Sequence, residues 1–285
     1  MSRARPSWAF SEGETIAPGR HAVRLLGGGR RYEAYLAWDD DLRALVTVKV
    51  VRPHRVDHPG TLAGLAGEAR ALEALRHPGL VRAFDAVLDG ERPHLVLEFL
   101  DGPRLSTFIR REAVSIEQVL ALALELASVV HHLGRRGWVH LDIKPRNVIM
   151  AGPPRLIDLS VARPVEDARR DSARDTIGTE GYMAPEQRVR DRAGEIGPAT
   201  DVWALGATVF ELIARRPAGT GSPGDLPRGT PPALAAAVLA CLEPLPAGRP
   251  TASELGDVLE PVVDALPRPR LGMFRPGGRR RPRIA

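Results

Sequence analysis

A chain of 285 residues is long enough to bury a large core, and a composition 44% hydrophobic and 26% charged excludes disorder throughout. Its single cysteine, Cys241, excludes an intramolecular disulfide, and with no signal peptide the chain reads as cytoplasmic. The net charge of +5 does not mark a nucleic-acid binder, because residues 267–285 carry seven Arg and no acid, and without those seven charges the balance is −2.

The first 18 residues mix Arg, Ser, Gly and Pro without periodicity and read as an irregular lead-in, with order beginning near Gly19. Between His21 and Val51 the pattern predicts three strands: one running into a glycine cluster, one centred on Ala34-Tyr35-Leu36-Ala37, and one at Leu45–Val50. Leu62, Leu65, Ala69, Leu72 and Leu75 recur at helical spacing over about 61–76, and Pro78 closes that helix. Strands follow around 81–88 and 94–99, which gives a small sheet carrying one helix.

After Gly102 helix dominates. Ser115-Ile-Glu-Gln118 is a capping box that opens a helix reaching Leu133, with Gly134 as its expected C-cap. This most apolar stretch contains Glu125 and a His pair, and reads as too short and too polar to span a bilayer. A helix over about 200–214 is apolar nearly all round and is expected to be buried, and 215–232 is a Pro/Gly-rich loop. Helices over about 232–243 and 251–265 end the body, the second opened by Thr251-Ala-Ser-Glu254. Cys241 falls on the first of these, among alanines, and reads as a small core residue.

Several segments carry chemistry. Leu26-Gly27-Gly28-Gly29 alone marks a turn, but a strand follows it, whereas a Rossmann fingerprint requires a helix and a P-loop requires Gly-Lys-Ser/Thr. Lys49 interrupts an apolar strand, so either it snorkels or an anion meets it, and Glu68 on the next helix is such an anion. His140-Leu141-Asp142-Ile143-Lys144-Pro145-Arg146-Asn147 places a carboxylate, a cation and an amide oxygen within one short run. Phosphoryl transfer needs those three groups to orient a hydroxyl, offset phosphate charge and hold Mg²⁺. Asp158-Leu159-Ser160 follows, and then Gly178-Thr179-Glu180-Gly181-Tyr182-Met183-Ala184-Pro185-Glu186.

In this order and spacing the segments resemble the eukaryotic-type (Hanks-type) serine/threonine protein kinases, in their bacterial branch, over about residues 20–265. The resemblance implies an α+β, two-lobed protein kinase fold. Residues 19–100 would form a small antiparallel-sheet lobe with one main helix and 101–266 a larger helical lobe, between the lead-in 1–18 and an Arg-rich flexible tail, 267–285. It implies an enzyme that moves the γ-phosphoryl group of ATP, with Mg²⁺ or Mn²⁺, onto Ser or Thr hydroxyls of proteins, and Lys144 favours Ser/Thr over Tyr.

By that resemblance Lys49 holds the α/β-phosphates and Glu68 holds Lys49, Asp142 orients the hydroxyl, Lys144 balances γ-phosphate charge, and Asn147 and Asp158 hold the metal. Leu26, Gly27, Gly28, Gly29, Ala34, Thr47, Leu97, Glu98, Leu100 and Ile149 would surround the nucleotide, with Leu97 as gatekeeper and Glu98 and Leu100 at the adenine hinge. Asp201, opening Asp201-Val202-Trp203-Ala204-Leu205-Gly206, would brace the catalytic loop, and Arg249 would pair with Glu186. The Arg-rich tail would meet acidic partners or membrane phosphates if it is more than a solvated end.

The chain departs from the family pattern at four places. Tyr32 replaces the third loop glycine, which removes the freedom for positive φ and is expected to stiffen the loop. Ala34 and Thr47 alter the adenine ceiling, making ATP affinity the weakest link, and Leu159-Ser160 replaces Phe-Gly. Leu141 replaces the Arg that grips a phosphorylated activation loop, so activity is expected without that phosphate. Ser172 and Thr176 remain as autophosphorylation sites, and Thr179 lines the acceptor hydroxyl site. Two other readings stay open: a pseudokinase scaffold that binds nucleotide, and a small-molecule kinase of the aminoglycoside-phosphotransferase type, which lacks the Gly-Thr to Pro-Glu segment.

Overall fold

The computed structural model describes residues 6–111, 114–172, 177–188, 194–218 and 226–265. Thr176, the side chain of Ser172 and the Arg-rich tail lie outside the described residues. The chain divides into two compact units, one running to Asp101 and taking in Asp158–Val161, the other comprising Gly102–Ile157 and the chain from Ala162.

Unit 1 is a six-stranded antiparallel sheet carrying one long helix. Its strands are β1 (Thr15–Ala17), β2 (Arg20–Gly28), β3 (Tyr32–Asp39), β4 (Ala44–Val51), β5 (Ala83–Val87) and β6 (His94–Glu98), in the order β1-β2-β3-β4-β6-β5. Helix α1 (Pro59–Ala74) lies between β4 and β5 in the chain. Alternation along β3 and β4 sorts the side chains. Tyr35, Ala37, Val46, Val48 and Val50 enter a fully buried cluster, while Ala34 and Lys49, paired in register, take the opposite face.

The buried cluster is completed by the chain's beginning, where the composition had pointed to an irregular lead-in. Phe10 and Ile16 belong to the cluster, Trp8 packs against it, and Trp8 and Phe10 stack at 5.9 Å. The Trp8 indole donates to the Val51 carbonyl at 2.8 Å, and the Arg92 guanidinium lies 5.1 Å from both rings. A pair of aromatic anchors is too little to register as a period, but together they bury enough apolar surface to order the segment around them.

Unit 2 is helical, with α2 (Leu105–Arg111), α3 (Ile116–Arg135), α4 (Val165–Ser172), α5 (Pro185–Arg188), α6 (Pro198–Ala214), α7 (Pro232–Cys241) and α8 (Ala252–Asp264). Two small antiparallel pairs join them: β7 (Trp138–Val139) with β10 (Arg163–Pro164), and β8 (Val148–Ile149) with β9 (Arg155–Leu156). Both sequence capping boxes form, Ser115 with Gln118 and Thr251 with Glu254. Helix α3 overturns two expectations. It is 20 residues long and apolar enough to cross a membrane by length and composition, although Leu120, Leu122, Leu126 and Leu133 are buried in unit 2. It also runs through Gly134 to Arg135. A Cβ at Gly134 would stand 3.2 Å from Pro198, so this glycine serves the close approach of α6, and Gly137 is the residue that takes positive φ.

Helix α6 is buried almost all round, as its composition requires. Gly206 lets α7 approach, since a Cβ there would meet Cys241 at 2.5 Å. Cys241 is buried, and burial pushes its thiol up to about 12, which leaves it an inert core residue.

Candidate active site

Register in unit 1 assembles a charged triad. Lys49 on β4 pairs with the small Ala34 and points from the face opposite the core, where Glu68 comes from the buried stripe of α1. The Lys49 ammonium donates to both Glu68 oxygens, at 2.9 and 2.7 Å, and to Asp158 Oδ1 at 2.9 Å. Its three hydrogens are therefore all engaged. Burial alone would lower the Lys49 pKa, but the charges of Asp158 and Glu68 outweigh it and hold the ammonium well above the ordinary lysine range. Burial pushes Glu68 toward its neutral form, and the two bonds from Lys49 oppose that; two contacts below 3 Å describe an ion pair.

Asp158 adopts φ +67 and Leu141 φ +66, a region that non-glycine residues occupy only when their surroundings hold them there. Asp158 is turned toward Lys49 in unit 1. Leu141 is in unit 2 and is gripped from both sides. Asp201, at the first turn of α6, accepts the His140 amide at 2.6 Å and the Leu141 amide at 2.9 Å, while the Gln187 side-chain amide donates to the Leu141 carbonyl at 3.1 Å.

The loop braced in this way carries Asp142. Lys144 Nζ donates to Asp142 Oδ2 at 2.6 Å and to Thr179 Oγ1 at 2.6 Å, and Thr179 in turn donates to Asp142 Oδ1 at 2.7 Å. The Asn147 amide nitrogen donates to the Asp142 carbonyl at 2.9 Å and to Oδ2 at 3.2 Å. A carboxylate, an ammonium, a hydroxyl and an amide thus converge within hydrogen-bond distance, with a Thr hydroxyl already seated on the carboxylate.

Of the remaining sequence-derived candidates, Leu26, Gly27 and Gly28 close β2, with positive φ at Gly27, and Gly29 follows in the turn. Tyr32 opens β3 in extended conformation, so the left-handed freedom is used at Gly27. Thr47 pairs with Leu97 across β4 and β6, Glu98 ends β6 and Leu100 follows it. All of these lie in unit 1; Ile149, on β8, lies in unit 2.

The sequence reading missed Gln187. It is buried and binds three backbone groups: it accepts from the Ala184 amide at 2.9 Å and donates to Leu141 O and to Ile177 O, the latter at 2.7 Å. It missed α4 as well, which is tied within unit 2 by Arg169 donating to the Ile196 carbonyl at 3.0 Å and by Arg163 meeting Asp171 at 2.6 Å. Glu186 and Arg249, both side chains fully buried, form a bidentate pair at 2.6 and 2.8 Å. The Arg249 guanidinium also donates to the carbonyls of Glu243, Ala199 and Pro244.

An antiparallel sheet bearing a Lys–Glu pair, together with a helical unit bearing a braced His-x-Asp loop, defines the protein kinase class of fold. The sequence profile described as Protein kinase domain matches residues 20–226, and the chain belongs to that family. It is similar to the serine/threonine-protein kinase PkaB of Streptomyces coelicolor, 30% identical over 270 residues that cover 86% of this chain and 63% of that protein. It is also similar to serine/threonine-protein kinase PknB of Mycobacterium tuberculosis, 27% identical over 206 residues, 69% of this chain and 32% of the relative. CBL-interacting protein kinase 11 of Oryza sativa is 26% identical over 269 residues, 93% of this chain and 51% of that protein. The chain spans between about a third and two thirds of the length of these relatives. The resemblance read from the motifs is borne out at the level of the family.

Proposed function

We propose that this chain is an ATP-dependent serine/threonine protein kinase that is active without phosphorylation of its activation segment. The observation that carries the reading is the Thr179 hydroxyl on Asp142 with Lys144 bonded to both, an arrangement that an acceptor Ser or Thr hydroxyl can take over. Asp142 orients that hydroxyl and accepts its proton, and Lys144 offsets the charge of the phosphoryl group in transfer. Lys49 holds phosphate oxygens once Asp158 releases one of its three hydrogens, and Glu68 keeps the ammonium in place.

Asp158 and Asn147 offer a carboxylate and an amide oxygen, hard donors that suit Mg²⁺ or Mn²⁺. Asn147 turns its nitrogen toward Asp142, leaving its oxygen the ligating atom. The metal would supply charge neutralisation on the phosphates. Leu26, the glycines, Ala34, Thr47, Leu97, Glu98, Leu100 and Ile149 are assigned to the nucleotide.

Activity without a phosphate follows from what holds the catalytic loop. Leu141 carries no charge to read a phosphate, and the loop is instead pinned by Asp201 and Gln187. The test is transfer from γ-labelled ATP to a generic protein acceptor by wild type and Asp142→Asn. Labelling by the wild type that drops by about 10²-fold or more in the variant is expected, the usual scale for losing a positioned acid–base group. Equal labelling by both, or none by either, would leave a nucleotide-binding scaffold.

A further inference from the structure

Helix α1 carries Glu68 and is poorly equipped to hold itself. Its first ten residues include Gly60, Gly64 and Gly67, and its first turn has no acidic residue to meet the helix dipole. Its buried stripe is Thr61, Leu65, Glu68 and Leu72, so the position of Glu68 follows wherever the Thr61 turn is held. The N-cap residue His58 accepts the Thr61 amide at 3.2 Å, and a second tie on that turn comes from the sheet.

Tyr32 reaches it. Standing opposite Val51, two positions along β4 from Lys49, it is a diagonal cross-strand neighbour of the lysine, and its ring lies 4.9 Å from the ammonium. Its hydroxyl donates to the Thr61 carbonyl at 2.8 Å. Burial raises the pKa of that hydroxyl, so it remains a donor. The helix is cut to receive it, since a Cβ at Gly64 would stand 2.9 Å from the Tyr32 oxygen. One residue thus touches the sheet's cation and the helix that supplies its anion.

We infer that Tyr32 is a positioning residue, a strap from β3 to α1 that keeps Glu68 on Lys49 without a partner protein or a phosphate. The inference rests on the kinase reading for its catalytic consequence, but the strap itself is a property of unit 1. The residue that stands in place of the third loop glycine thus also ties α1 to the sheet.

The 285-residue chain, its Tyr32→Phe and Gly64→Ala variants and the double variant test this by amide hydrogen exchange across Pro59–Ala74 and by steady-state kinetics. Tyr32→Phe keeps the ring and removes the bond. Exchange in the first two turns of α1 should rise about fivefold and kcat fall by about the same factor, the scale of one hydrogen bond, with KM for ATP moving less than about twofold. Gly64→Ala should loosen the helix where Tyr32 is intact yet tighten it in the Tyr32→Phe background, because Ala is the better helix former once the hydroxyl is gone. Unchanged exchange in Tyr32→Phe, or the same effect of Gly64→Ala in both backgrounds, overturns the strap. A wild-type chain without transferase activity would sink the kinase reading instead, and the exchange experiment would still decide on Tyr32.

Discussion

The two units hold their candidate site residues in different ways. In unit 1 Lys49 faces Glu68 because β3 and β4 pair residue by residue and α1 presents one buried stripe. In unit 2 Asp142 sits in a loop that passes through a left-handed residue, and buried polar side chains, Asp201 and Gln187 at Leu141 and Arg249 at Glu186, grip the chain around it. Regular elements position side chains through their period; an irregular loop needs every backbone group accounted for individually. The loop of unit 2 should accordingly be brittle to polar truncation in a way that the β3–β4 register of unit 1 is not.

The largest effect that would break this contrast is at Arg249. Arg249→Met leaves the buried Glu186 carboxylate without its cation, with the Thr200 hydroxyl still donating to it, and takes a donor from three carbonyls, and should cost about 3–5 kcal/mol, read from denaturant unfolding. A loss under about 1 kcal/mol would mean that the Glu186–Arg249 pair adds little beyond packing.

Gln187→Leu preserves volume and orphans the Leu141 and Ile177 carbonyls and the Ala184 amide, so a loss of about 1–3 kcal/mol is expected. Its kinetic signature should be a lower kcat with an unchanged KM for ATP. A rise in KM for ATP alone would place Gln187 outside the account.

Asp201 sharpens the contrast through pH. Burial pushes its carboxyl up to about 7 from an ordinary 3.8, against the two amide bonds it accepts. Between about pH 4 and 7 the folded protein keeps a proton that the unfolded chain has lost. This group's contribution to stability therefore falls as pH rises through that window and is flat above it. Asp201→Asn cannot titrate, so the difference in Tm between wild type and variant should slope across that window. Parallel curves would show that Asp201 is ionised throughout.

The smallest effect belongs to unit 1. Trp8→Phe keeps an aromatic ring against the core and gives up the bond to the Val51 carbonyl with part of the indole's packing, for about 1–2 kcal/mol by thermal unfolding. A loss of several kcal/mol would show unit 1 to depend on polar ties as unit 2 does.

The groups expected to do chemistry were legible because they lie in short runs with fixed spacing: Asp142, Lys144 and Asn147 in one loop, Lys49 in a strand, Asp158 after another. Five of the six strands of unit 1 were legible in the residue pattern, and β1 was not, since it falls inside the run read as an irregular lead-in. What holds these groups was not. Gln187 with Leu141 and Ile177, and Tyr32 with Thr61, join residues 10 to 46 positions apart, and no local period records such a contact. Helix α4, Val-Glu-Asp-Ala-Arg-Arg-Asp-Ser, has too few apolar residues for a period to register. Trp8 and Phe10 are two aromatics in a polar run, and Gly134 near the end of an apolar period looks like a cap until Pro198 is seen against it.

The central claim, an active arrangement that needs no phosphate, is tested most directly by initial rates of protein shown by mass to be unphosphorylated. Phosphoryl transfer should be linear from the first turnovers, unchanged by prior phosphatase treatment and retained in a Ser172→Ala, Thr176→Ala double variant. A lag that shortens as phosphate accumulates, or a double variant without activity, would contradict it.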